Sequence, residues 1–418
     1  MIYEGTKTFA ENLDSQDSLA QYRDRFFIPK DKNGKDAIYL CGNSLGLQPK
    51  SVRNFVEQEL KDWETLGVEG HFHAKTPWMP YHEALTSSTA RLVGAKPDEV
   101  VVMNTLTVNL HLMLVSFYRP TTMRHKIVIE SRAFPSDRYA VESQIKYHGF
   151  DPKRSLIELQ PRAGESALRS DDIQDVLDAD GDEIALVLLG GVNYYSGQVF
   201  DMEFITRVAQ AQGCVVGFDL AHAAGNVVLK LHDWNVDFAV WCSYKYLNGG
   251  PGCIAGCFVH ERHATNTSLP RFTGWWGQNK QSRFTMGPTF NPIVGAEGWQ
   301  LSNPPILPMA ALRASMEIFD EVGMQKLRAK SIELTNYLEF LLDQHPSQQF
   351  SVITPHDPAQ RGCQLSIRVQ KNGRTLFDHL MHNGVVCDWR EPDVIRVAPV
   401  PLYNSFVDVY NFVEIIQH

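Results

Sequence analysis

Short apolar runs recur through the middle of the chain, at Val100–Met103, Lys126–Glu130, Ile184–Leu189, Val215–Asp219, Phe238–Cys242 and Ile254–Val259. Several are separated by amphipathic or polar stretches of helix length, so residues from about 96 to 260 are predicted to alternate between strands and helices. The strand runs are apolar at consecutive positions rather than at every second one, which requires cover on both faces. A predominantly parallel sheet with helices on either side supplies that cover.

The period then changes. From Met309 to about Gln344, Leu312, Met316, Phe319, Leu327, Leu334, Tyr337, Leu338 and Leu341 recur at helical spacing and predict a long helix with one buried face, a spine between two domains. The tail reads strand, helix, strand, helix over Gln364–Val369, Leu376–Asn383, Val394–Val397 and Ser405–Ile416. The first sixty residues mix short polar helices with a tight turn at Gly42-Asn43-Ser44-Leu45-Gly46. At 418 residues the chain exceeds one ordinary hydrophobic core. The expected division is an N-terminal segment, 1–60, packing with the small domain; a large α/β domain, 61–303; and a linking helix with a small α/β C-terminal domain, 304–418.

Charge and cysteine content narrow the function. The net charge of -9, with Lys and Arg scattered, gives no clustered basic surface for nucleic acid. No apolar stretch is long enough to span a membrane, and the first residues lack a signal-like pattern, so a cytoplasmic protein is expected. Seven scattered cysteines, an odd number, read as reduced thiols. Cys253 and Cys257 sit in an apolar run and read as small buried hydrophobes. His260 and His263 read as a solvated surface pair, no third metal ligand being suggested nearby.

Candidate chemistry lies just beyond the predicted strands, where open α/β sheets bind ligands. Asp219 ends one strand, His222 follows it, and Lys245 comes immediately after the next strand, 26 positions from Asp219. Alone, Asp219 reads as a helix cap and Lys245 as a surface lysine. Together they match what pyridoxal 5'-phosphate (PLP) needs: a lysine to hold its aldehyde carbon and a carboxylate to stabilise its protonated pyridine nitrogen. Asn104-Thr105-Leu106-Thr107 runs into a helix whose N-terminus suits a phosphate. A second junction, Arg132-Ala133-Phe134-Pro135-Ser136-Asp137, offers Phe134 to stack on a flat ring.

These segments, with Gly42–Pro49, Gly217–Ala223, Trp241–Asn248, Gly274-Trp275-Trp276-Gly277, Ser302-Asn303-Pro304-Pro305 and Arg396-Val397-Ala398-Pro399, resemble kynureninases in order and spacing from about residue 40 onward. The resemblance implies the fold-type-I PLP-dependent transferase fold of the class-V aminotransferase-like superfamily, with a mostly parallel mixed sheet in the large domain. It implies hydrolytic Cβ–Cγ cleavage of 3-hydroxykynurenine or kynurenine to the matching anthranilate and alanine, in tryptophan catabolism and NAD biosynthesis. A homodimer with sites at the subunit interface is implied as well.

By the same resemblance Lys245 carries PLP and acts as base, Tyr244 donates a proton, Asp219 meets the pyridine nitrogen and His222 adjoins the ring. Leu106, Thr107, Tyr244 and Trp275, the last from the partner subunit, reach the phosphate. Phe134, Pro135, Ser136, Asp137 and Asn303 complete the cofactor shell. Arg396 takes the substrate carboxylate, while Ser44, His71 and Asn303 face its aromatic end, and the polar Ser44 and Asn303 favour 3-hydroxykynurenine. One departure is Gln278, where the family commonly has His. The alternatives are a cysteine desulfurase-like lyase, for which Cys363 is the nearest nucleophile, an aminotransferase, or a PLP-binding protein without catalysis. No metal site is expected.

Overall fold

The computed structural model describes residues 2–266, 268–344 and 349–417. Its strands, in chain order, are β1 (Ile38–Tyr39), β2 (Val100–Val102), β3 (Lys126–Glu130), β4 (Leu156–Leu159), β5 (Ile184–Gly190), β6 (Val215–Asp219), β7 (Phe238–Trp241), β8 (Gly256–Val259), β9 (Phe350–Val352), β10 (Leu365–Val369), β11 (Val385–Val386), β12 (Asp388–Arg390) and β13 (Val394–Val397). Seven of them form one sheet in the order β2-β8-β7-β6-β5-β3-β4. Pairings from β4 across to β7 are parallel, and β8 pairs antiparallel with both β7 and β2. This is the mostly parallel mixed sheet of the expected fold class.

Strand residues alternate between two cores, which explains why the runs carry no alternation of polarity. Ile127, Ile129, Leu186, Leu188 and Val240 pack on one face, with Leu110, Met113 and Val141 from flanking helices. Val128, Val187, Leu189, Val216 and Phe218 pack on the other, against Ile205, Met316 and Phe319. Each such fully buried aliphatic or aromatic side chain contributes about 1.5–3 kcal/mol relative to exposure.

The smaller antiparallel sheet runs β12-β13-β10-β9. Its core gathers Leu365, Ile367 and Ile395 with Leu334, Leu338 and Phe412, and with Ala10 and Leu40 from the N-terminal segment. That segment also contributes β1, which pairs parallel with β11. Asp14 accepts from the backbone N–H of Phe406 (2.7 Å) and of Val407 (3.1 Å), filling the vacant donors at the start of helix Phe406–Gln417.

Three expectations change. The spine is two helices, Ile306–Val322 and Met324–Gln344, because Gly323 adopts φ +80 and ends the first. Strands β4, β9 and β12 were not anticipated: each lies at a sheet edge, half exposed, where the apolar signal is diluted. His260 is not part of a solvated pair. It is buried and stacks on His232 at 5.0 Å, with Glu99 Oε1 3.8 Å from its Nδ1, while His263 meets Asp237 at 2.8 Å. Glu99, His232 and His260 thus converge although they are far apart in sequence. Cys253 and Cys257 are buried as expected, and all seven thiols are unpaired.

Candidate active site

Beyond the carboxyl ends of β3, β5 and β6 the strand order reverses, leaving a crevice of the kind that α/β sheets use for ligands. Glu130, Gly190 and Asp219, the last residues of those strands, all line it. The chain leaves β7 and brings Tyr244 and Lys245 to the same opening. Two helices, Leu106–Phe117 and Pro135–Tyr147, begin there, and Thr107 Oγ1 lies 2.9 Å from Ser136 Oγ in their first turns. Two positive dipole ends therefore face one cleft.

Lys245 Nζ stands 3.0 Å from His222 Nε2 and 5.8 Å from the ring centroids of both Phe134 and Tyr244. Burial, then the charge of Lys245, hold His222 well below the ordinary imidazole range, so the ring is neutral. Asp219 Oδ1 accepts from Ala221 N–H at 2.7 Å. It does not cap a helix: residues after it form turns. Burial raises Asp219, and burial followed by the charge of Asp219 raises Asp137 well above the carboxylate range. Glu130 completes the cluster, burial holding its carboxyl at about 7. Tyr244 is raised by burial and remains a phenol.

Three buried carboxyls thus share a cleft in which Lys245 is the cation that pulls Asp219 and Asp137 down. Asp137 Oδ1, His222 Nδ1 and Ser243 Oγ are buried without a protein hydrogen-bond partner. A flat aromatic group with a protonated ring nitrogen and a phosphate supplies a further cation for the carboxyls and an anion for the helix starts. The residues present fit PLP.

A second cluster adjoins the first. Arg396 on β13 is buried and donates from Nη2 to Asp388 Oδ2 (2.7 Å), from Nε to Asp388 Oδ1 (3.3 Å) and from Nη1 to the Tyr194 carbonyl (2.7 Å). Ser44 Oγ donates to Asp388 Oδ2 at 2.5 Å. The Tyr194 ring lies 5.9 Å from the guanidinium carbons of Arg396 and Arg390, 5.3 Å from the Phe134 ring and 6.5 Å from His222. It bridges the two clusters.

Leu106, Thr107, Phe134, Ser136, Asp137, Asp219, His222, Tyr244 and Lys245 line one cleft, and Pro135 opens the second helix beside it. Ser44 and Arg396 stand in the adjoining cluster. His71, Trp275 and Asn303 are not brought in by this chain. His71 bonds the Val68 carbonyl, Trp275 Nε1 donates to the Arg283 carbonyl, and Asn303 is exposed. Gln278 pins its own loop, its amide bonding Ser282 Oγ (3.0 Å) and its carbonyl accepting from Asn291 N–H (2.7 Å). Glu130, Tyr194, Asp388 and Arg390 were missed. The strand-end rule that singled out Asp219 also covers Glu130 and reaches Tyr194 after β5, whereas nothing local marks Asp388.

Residues 327–416 match the kynureninase C-terminal domain family. The whole chain is 64% identical over 412 residues to a kynureninase of Koribacter versatilis, covering 99% of this chain and 97% of that one. It is 58% identical over 416 residues to a kynureninase of Myxococcus xanthus, covering 100% and 98%. Among solved structures it resembles a cysteine desulfurase of Escherichia coli, with TM-score 0.77 at 17% identity over 96% of this chain and 98% of that one. It also resembles a cystine C–S lyase bound to its product cysteine persulfide, with TM-score 0.76 at 16% identity over 91% and 97%. At those identities the structural likeness concerns the fold.

Proposed function

This chain belongs to the kynureninase family, and from that premise we propose how its own residues carry out a PLP-dependent hydrolysis of a carbon–carbon bond. The substrates are kynurenine and 3-hydroxykynurenine, and the products are alanine with the matching anthranilate. When bound, PLP withdraws electrons from the substrate Cα, which makes the Cα proton removable and the Cβ–Cγ bond breakable. Leu106 and Thr107, at one helix start, and Ser136, at the other, hold the phosphate. Phe134, Pro135, Asp137 and His222 enclose the ring, and Asp219 keeps a proton on its nitrogen. Trp275 and Asn303 join from the partner subunit.

Lys245 would hold the cofactor, and its amine would take the substrate Cα proton. Its amine is oriented by the neutral His222 ring 3.0 Å away. Tyr244, kept a phenol by burial, returns a proton to the side-chain carbon after cleavage. Arg396 grips the substrate carboxylate with a guanidinium fork. His71 and Asn303, both from the partner subunit, face the aromatic end, and their polarity favours a ring bearing a hydroxyl, while Ser44 stands beside Arg396. The observation that carries this reading is the convergence of Lys245, His222 and Asp219 in a cleft with two helix starts, beside a buried arginine.

A homodimer completes the site. Phe272, Trp275, Phe284, Met286 and Val294 leave large apolar side chains exposed along one stretch of chain, as an interface requires. Among the described residues no helix is long and apolar enough to cross a membrane. Unpaired thiols support a reducing, cytoplasmic setting, and the kynureninase family supports a place in tryptophan catabolism. A desulfurase needs an accessible thiolate, whereas Cys363 is buried and burial pushes its thiol up to about 11. The test is to incubate the purified holoenzyme with each kynurenine separately and follow alanine and the matching anthranilate. Faster turnover of the hydroxylated substrate is expected; no product from either overturns the reading.

A further inference from the structure

Asp388 on β12 lies directly opposite Arg396 on β13 in the antiparallel register, and Arg390 two residues along β12 shares its face. The Asp388 carboxylate is saturated. Its Oδ2 accepts from Ser44 Oγ (2.5 Å), Arg396 Nη2 (2.7 Å) and Arg390 Nη2 (3.0 Å), and its Oδ1 accepts from Arg396 Nε (3.3 Å) with Arg390 Nε 2.9 Å away. A carboxylate offers about four lone-pair sites, so none is left for a substrate amine or for proton transfer. What it can do is hold its donors.

We propose that Asp388 is a positioning residue that grips the Nε–Nη2 edge of Arg396 and so turns the Nη1–Nη2 end of the guanidinium toward the substrate carboxylate. This rests on the reading that Arg396 takes that carboxylate. The five N–H groups of a guanidinium lie in one plane, so fixing one edge fixes where the other points. The Tyr194 carbonyl, 2.7 Å from Nη1, fixes the plane from the large-domain side. On the open end the other contact is a long one, 3.4 Å from Nη2 to Ser44 Oγ, which a carboxylate oxygen can displace. Burial opposes ionisation of Asp388, but Arg396, Ser44 and Arg390 outweigh it and hold the carboxyl below its ordinary value, so it stays an anion. Two arginines and one aspartate leave a single positive charge, matching one substrate carboxylate.

Aim and charge make opposite predictions, because removing Asp388 loosens Arg396 yet leaves the pocket more positive. The test uses purified holoenzyme, with alanine, the amino-acid product, as binding probe followed by cofactor absorbance, alongside steady-state kinetics. Asp388→Asn is expected to weaken alanine binding and raise KM by about ten-fold or more, with kcat within about three-fold and PLP content retained. Asp388→Asn/Arg390→Gln restores the net charge without the grip and is expected to stay weak. Wild-type or tighter alanine binding by Asp388→Asn, recovery of affinity in the double variant, or a loss confined to kcat each overturns the proposal. If Asp388→Asn does not fold, Asp388→Glu keeps the charge and displaces the grip: raised KM with retained kcat supports the proposal, and a wild-type KM overturns it. Arg396→Lys separates the two levels. Unchanged alanine affinity there removes the carboxylate reading itself, whereas weakened binding there with wild-type behaviour of Asp388→Asn removes only the role of Asp388.

Discussion

Gly46 offers a direct handle on the geometry of Lys245, because its turn packs against the backbone that carries the lysine. Its N–H donates to the Tyr244 carbonyl at 2.8 Å. A Cβ at this position would lie 2.3 Å from the Lys245 carbonyl oxygen, 2.3 Å from Asn248 Oδ1 and 2.9 Å from Asn248 Cα. Two of these are backbone atoms, which cannot rotate away. Restoring an ordinary contact of 3.4 Å from 2.3 Å moves the turn or the lysine segment by about 1.1 Å. Overpacking of that kind costs about 1–3 kcal/mol, and a misplacement of about 1 Å at a reacting group costs roughly 10²-fold in rate. Gly46→Ala is therefore expected to lower the melting temperature and to cut kcat by about a hundred-fold while PLP is still bound. Thermal unfolding, cofactor absorbance and initial rates measure the three quantities. Gly5→Ala is the control, since its Cβ would meet only Leu341 Cδ2 at 3.8 Å, and it should leave all three unchanged. If Gly46→Ala keeps wild-type stability and kcat, the backbone contact does not position Lys245.

Lys245→Ala should abolish both turnover and the absorbance of lysine-bound cofactor; retention of either removes Lys245 from its assigned role. Trp275→Ala and Lys245→Ala subunits, each impaired alone, should recover activity when mixed and reassembled, because one site of the hybrid then has both intact residues. No recovery means that Trp275 serves its own chain. Glu130, held at about 7 from an ordinary 4.5, contributes stability that is full below the lower value and lost as pH rises through the higher one. At about 1.4 kcal/mol per unit the ceiling is roughly 3 kcal/mol. The melting temperature of the cofactor-free protein should fall between about pH 4.5 and 7, and Glu130→Gln should flatten that fall; an unaltered slope refutes it.

The sequence alone determined the parallel sheet and the meeting of Asp219 and Lys245 at one cleft, and for the same reason. Strands buried on both faces are apolar at every position, so Val128, Val187 and Val216 announce themselves without any knowledge of their neighbours. In a parallel sheet the carboxyl ends fall on one edge, which makes Asp219 and Lys245 neighbours by arithmetic on the strand pattern. The edge strands β4, β9 and β12 escaped because half-exposed residues carry half the signal, whereas the edge strand β2, buried throughout, announced itself. Only the tertiary structure decided which charges meet. Asp388 and Arg396 are joined by antiparallel register, Glu130 and Asp219 by the reversal of strand order, and Tyr194 by a loop carried from the large sheet to Arg396. None of these pairings leaves a local pattern, because a buried charge is stabilised by partners that the chain supplies from far along its length.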